Sequence, residues 1–192
     1  MLLKKKNNQF SRINNQEKKH TDDKMEFNKE KFKNVLHYIV YKCGLKNNVG
    51  RTVLHKLLYF SDFNYYQIFK ESITNESYKK LARGPVPVHF EEAMSELIEE
   101  NKISTGKRRL PCGKKMNRYF ATNAPDMELK EEEWAVIDKA IEDLSHMNGL
   151  QIGEYSLSDE PVKEAEEEGI IDYDLVFSRS FRYRSKAYVK IT

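Results

Sequence analysis

Cysteine is scarce: Cys43 and Cys112 are the only two in 192 residues, too few for a disulfide framework and not spaced as a Cys-x-x-Cys pair. Reduced thiols are the expectation. No apolar run approaches the roughly 20 residues that a membrane span needs, and the opening MLLKKKNNQF has no apolar core of signal-peptide type. A cytoplasmic protein without a membrane partner is therefore expected. The five histidines (His20, His37, His55, His89 and His146) make no HxxxH or HExxH pair and no His/Cys cluster. That spacing implies no metal, and no other cofactor is expected. A GxxxxGK[ST] phosphate loop, a GxGxxG turn and a GxSxG elbow are also missing.

Other features that resemble catalytic groups have simpler readings. Glu91-Glu92 belongs to an amphipathic helix with an acidic outer face, so it reads as solvated surface and not as an acid/base dyad. Cys112 lies among Lys107, Arg108, Arg109, Lys114 and Lys115, surroundings that favour a thiolate, but no histidine partner can be identified for it. An exposed, unremarkable thiol is the expectation. By elimination, the chain is not expected to be an enzyme.

What is present supports one folded domain. The composition is 39% hydrophobic with 11 Tyr and 10 Phe, enough apolar bulk for a core despite a mean hydropathy of -0.76. A chain of this size should bury roughly 70% of its unfolded surface. Charge is segregated. Residues 101–120 carry 7 basic and no acidic side chains, whereas residues 121–180 carry 4 basic and 17 acidic. The net +3 conceals a basic segment followed directly by an acidic one, and either can steer a charged partner.

Residues 1–25, rich in Lys, Asn and Gln, read as a disordered basic arm or leader, leaving 26–192 as the domain. Phe32, Val35, Leu36, Ile39 and Val40 follow a helical period that ends near Cys43-Gly44. Arg51 to Phe69 is apolar on most of its circumference, which predicts a helix in the centre of the domain. Gly84-Pro85-Val86-Pro87 reads as a forced turn. A helix follows, with Phe90, Ala93, Met94, Leu97 and Ile98 on one face. Ile103 to Ala121 reads as two strands around Pro111-Cys112-Gly113, a basic hairpin. A fourth helix is predicted from Leu129 to Met147, with Asn148-Gly149 as its stop and Gln151 to Leu157 as a short connection. Pro161 suits the start of an acidic helix, Val162 to Glu168, and Ser178 to Thr192 alternates like a last strand. The fold class is α+β, a predominantly helical single domain with a small antiparallel sheet around the basic hairpin.

His55, Tyr59, Asp62 and Tyr66 fall on one stripe of the central helix. Asp62 on that stripe is either a semi-buried carboxylate satisfied by a backbone amide or a cation, or a partner contact. The run KLLYFSDFNYY (56–66), followed by ITNESYKKLARGPVPVHFEEAMSEL (73–97), resembles the Panacea domain, the SocA-like antitoxin domain of bacterial and prophage proteins. Lys56, Leu57, Tyr59, Phe60, Asp62, Gly84, Pro85, Val86, Ala93 and Leu97 carry the resemblance, which extends from about Phe32 to Phe177. Where the family tends to have serine-histidine and then proline-tryptophan, this chain has Ser156-Leu157 and Pro161-Val162, which marks a divergent member.

The resemblance implies a module that binds and neutralises a protein toxin encoded beside it, by occlusion or by presenting it to a cellular protease, with no catalytic residues. Aromatic and charged groups coincide at Tyr59, Asp62, Tyr66, Gly84 and Pro85, the expected partner surface. The rival surface is the hairpin patch of Lys107, Arg108, Arg109, Lys114, Lys115 and Arg118. Helix, hairpin and cations together also resemble a winged helix. Against that reading, the helix before the hairpin is rich in glutamate and would repel DNA, so weak, nonspecific nucleic-acid attraction is the most expected of it.

Overall fold

The computed structural model describes residues 26–126 and 128–179. It is an α+β single domain, about half helical, with two small antiparallel sheets. The arm 1–25 and most of the expected last strand lie outside the described residues. Among the described residues, no helix is long and apolar enough to cross a membrane.

Helix α1 (Lys29–Cys43) starts where the Asn28 side chain accepts the Lys31 N–H at 3.0 Å. Its periodic residues Phe32, Val35, Leu36, Ile39 and Val40 are all buried, as their spacing predicts. Helix α2 (Arg51–Phe69) occupies the centre. It buries Val53, Leu54, Leu57, Leu58, Phe60 and Phe63 together with the polar His55, Lys56, Ser61 and Asp62. Burial on every side follows from its neighbours: α1, the first sheet, and the later helices all pack against it.

The segment Gly84–Pro87 corrects the sequence reading. It is a strand, β2, paired antiparallel with β1 (Tyr78–Leu81), and the turn is Ala82-Arg83. Prolines survive there because β2 is an edge strand. Tyr78 pairs with Pro87 and Lys80 with Pro85, and the Val88 N–H bonds Ser77 O at 2.9 Å. That alternation turns both proline nitrogens away from β1, where no ladder bond is lost. The other edge of β1 is covered by the later chain, through Lys80 N to Gly169 O at 2.9 Å and Ile171 N to Tyr78 O at 2.8 Å.

Helix α3 (Phe90–Glu99) buries Phe90, Ala93, Met94 and Leu97, but Ile98 is on its exposed side. Three of its glutamates are paired, Glu92 and Glu96 with Lys29, Glu96 also with Lys33, and Glu91 with Arg51, and the C-cap Glu100 pairs with Lys33. Strands β3 (Ile103–Arg109) and β4 (Lys115–Ala121) form the expected hairpin, in register from Ile103↔Ala121 to Arg109↔Lys115.

Helix α4 (Glu131–Leu144) is shorter than predicted and packs on α2 through Val136, Ile137, Ala140, Ile141 and Leu144. Asn148-Gly149 does not simply stop it. Asn148 starts a further helix, α5 (Gly149–Leu157), by accepting the Leu150 and Gln151 N–H groups at 3.0 and 3.1 Å. The Asn-Gly dipeptide resembles a helix terminator because a helix start and a helix stop use the same residues. Helix α6 is only Glu160–Glu164: Pro161 does open it, but Ala165 is already extended, so the acidic run 166–168 is not helical. A 3-10 segment, Tyr173–Ser178, closes the described chain.

Candidate functional site: a cationic cleft braced by buried polar groups

The polar residues of α2 form three interior braces. In the first, Lys56, 1% exposed, donates to the Pro85 carbonyl at 3.0 Å. Burial pushes its ammonium down to about 7, and the Arg83 charge acts in the same direction. Gly84 packs beside it with φ 87°, and a Cβ there would lie 2.2 Å from Ser156 Oγ. Only glycine meets both conditions.

The second brace gathers Tyr59, Asp159 and Arg179, all buried. The Tyr59 hydroxyl donates to Asp159 at 2.8 Å, and the Arg179 guanidinium grips both oxygens of the same carboxylate at 2.9 and 2.7 Å. Arg179 also reaches Asn64 of α2 at 2.8 Å. The third brace is Asp62, which accepts from Ile73 N (3.0 Å), Thr74 N (3.1 Å), Thr74 Oγ1 (2.7 Å) and the Tyr78 hydroxyl (2.7 Å). Burial raises its carboxyl to about 6, against the pull of those donors.

These contacts locate the residues expected to meet a partner. Tyr59 (0% exposed) and Asp62 (1%) are interior, and of the two readings of Asp62 the satisfied buried carboxylate is the one observed. Neither side chain presents a surface. Gly84 and Pro85 are buried behind the Ala82-Arg83 turn. Tyr66 is half-buried at the far end of α2, donating to Asp174 at 2.7 Å. In the hairpin patch, Lys107, Arg108, Arg109, Lys114 and Lys115 are exposed. Arg118 is not: it is 5% exposed, donates to Gly44 O at 2.8 Å and lies against the Phe120 ring. Its guanidinium fastens the hairpin to the turn after α1.

Between the two expected surfaces lies a cleft of about 880 Å³. Its walls are the first residues of α2, the Ala82-Arg83 turn, the hairpin tip from Leu110 to Asn117, and α5 with its cap Asn148. Arg51, Arg83, Lys114 and Lys115 line it, with Glu154 as the one acidic group among the described residues. Apolar surface comes from Leu110, Pro111, Met116, Leu150 and Leu157. Leu150 is 72% exposed, a large apolar side chain left in solvent beside cations. Leu157, standing where the resemblance leads one to expect histidine, is on the same wall.

The sequence reading finds the hairpin, sets the turn two residues late at Gly84–Pro87, and misses α5, the element that joins them. The exposure of Leu150 had no local signal. Among the described residues, no group of three or more His, Cys, Asp and Glu is arranged to hold a metal ion.

The fold and its braces define a mostly helical α+β domain whose central helix is tied to the β1–β2 hairpin and the C-terminal segments by buried hydrogen bonds. A family model described as antitoxin SocA-like, Panacea domain, matches residues 54–161, more than half of the chain, and the protein belongs to that family. Comparison with curated proteins and with solved structures gives no match.

Proposed function

We propose that this protein is a cytoplasmic, non-catalytic antitoxin that binds and neutralises a protein toxin encoded beside it, with residues 26–192 acting as one domain. Family membership over 54–161 carries the reading, and the matched stretch includes three of the four cleft walls. Neutralisation proceeds by direct occlusion of the toxin or by its presentation to a protease. Co-expression with the adjacent reading frame tests the proposal: growth should be rescued when that neighbour is induced, and the two chains should co-purify. An adjacent product that neither arrests growth nor co-purifies would overturn it.

The exposed cations at the hairpin tip favour a second reading, nucleic-acid association. The ion-paired glutamates of α3 oppose any placement of that helix in a groove, which leaves weak, salt-sensitive attraction. A sequence-selective shift at physiological salt would promote this reading over the first.

A further inference from the structure

Building on the antitoxin reading, we infer that the cleft takes an acidic segment of the toxin that carries an apolar anchor. The argument begins with charge. Arg83, Lys114 and Lys115 have no carboxylate partner among the described residues, although other surface cations, such as Lys29 and Lys139, are paired. Three unpaired cations around one concave surface, opposed by Glu154 alone, leave a net positive field in the cleft. Both helices that begin at the cleft add to that field with their N-terminal ends, and Gly50 gives α2 no side-chain cap.

Apolar surface separates a peptide from other anions. Leu110, Pro111, Leu150 and Leu157 offer aliphatic contacts, and among the described residues no aromatic ring lines the cleft for a base to stack on. A peptide with acidic residues beside a leucine-like side chain satisfies both halves of the lining, whereas a phosphate backbone satisfies only one. The chain's own ends are poor occupants: residues 1–24 carry 7 basic and 3 acidic side chains, and FRYRSKAYVKIT (181–192) is basic without a single acid. Their like charge makes both poor ligands for a cationic cleft, which favours an occupant from another molecule.

Two double variants of the full chain, co-purified with the adjacent gene product, test the inference. Arg83→Glu with Lys114→Glu reverses the cleft. Lys107→Glu with Arg109→Glu reverses hairpin cations outside it. All four positions are exposed, and an unchanged melting temperature certifies each fold. The cleft variant should weaken the complex by at least about tenfold, while the hairpin control stays within about twofold. Hydrogen exchange should show protection of an acidic toxin segment that the cleft variant abolishes.

If the complex forms and both variants bind like wild type, the cleft inference falls and the antitoxin reading stands. If the protected toxin segment is basic or uncharged, or if nuclease treatment dissolves the complex, the acidic-peptide assignment is wrong. If the isolated protein self-associates and only the cleft variant is monomeric, the occupant is a second copy instead. If no complex forms in any arm, the antitoxin reading fails and takes this inference with it.

Discussion

Lys56→Met is the substitution that reads most directly on the interior of this fold. The wild-type ammonium is buried with one carbonyl acceptor, Pro85 O at 3.0 Å, and no carboxylate among its described contacts. The unfolded chain holds this proton up to about 10.5, the folded chain only to about 7. Between those values the unfolded state binds more protons, so stability rises with pH; below about 7 both forms are protonated and the deficit is constant. At about 1.4 kcal/mol per pH unit, the charged lysine destabilises the fold at neutral pH by about 4 kcal/mol relative to its neutral form. Roughly half of that, about 2 kcal/mol, should be recovered between about pH 7 and 9, before burial of Cys43 and the buried tyrosines reverses the trend. Methionine keeps the unbranched shape and removes the titration, at the expense of an unpaired Pro85 carbonyl costing about 1 to 3 kcal/mol. Urea unfolding of both proteins across that pH range is the assay. Wild type should gain about 2 kcal/mol relative to the variant, and parallel profiles would refute the claim that Lys56 sits charged and desolvated.

Three further outcomes follow from the packing. Gly84→Ala should destabilise by about 2 to 4 kcal/mol, because the new methyl combines a left-handed backbone with a collision against Ser156 Oγ; thermal melting checks it, and a neutral result would mean that the β1–β2 turn shifts freely. Leu57→Ala and Phe60→Ala should each cost about 2 to 5 kcal/mol in urea unfolding, and Tyr66→Ala less, since the first two are core and Tyr66 is half-buried. Burial holds the His55 imidazole down to about 3, so acidification below about pH 6.5 protonates the unfolded chain first and stability falls with pH. His55→Phe should flatten that acid limb, and an unchanged limb would assign it to other groups.

The helices with a strong apolar period were legible because burial on one face leaves a 3.6-residue trace. Helix α1 and the all-round apolar α2 are the clearest cases. Gly84–Pro87 was misread because proline signals a turn unless the strand is at an edge, and edge placement is a tertiary fact. Helix α5 was missed because its Asn148-Gly149 start also reads as a stop. In the candidate site, the cations of the hairpin were visible as a run, but Arg118 carried the same sequence signal as its neighbours and is buried. Alternation along β4 distinguishes inward from outward side chains only once the partner face is known. Tyr59 and Asp62 are legible as special, and for Asp62 the buried, satisfied carboxylate is one of the two readings the sequence offers; the spacing alone does not choose between a brace and a contact, and for Tyr59 it points to the wrong one.

The braces bear on recognition because they fix the cleft walls before any partner arrives. Lys56 and Gly84 hold the Ala82-Arg83 turn against α2 and Ser156 of α5. The hairpin is fastened from the opposite side, where Arg108 donates to Asn47 O at 2.7 Å, Arg118 donates to Gly44 O at 2.8 Å, and the Met116 side chain packs closely over Gly50. The same linker is tied to the start of α5, through Asn48 to the Ser145 and Met147 carbonyls at 2.8 and 2.7 Å. Each wall is thus bound to a common frame by hydrogen bonds within the chain. A surface held in this way loses little conformational entropy on binding, so its contacts are realised as affinity instead of being offset by the ordering of loops. On the antitoxin reading, a substitution inside a brace should lower stability and also weaken toxin binding by the protein that remains folded, because it loosens a cleft wall, whereas one on the exposed cations of the cleft should weaken binding with stability unchanged.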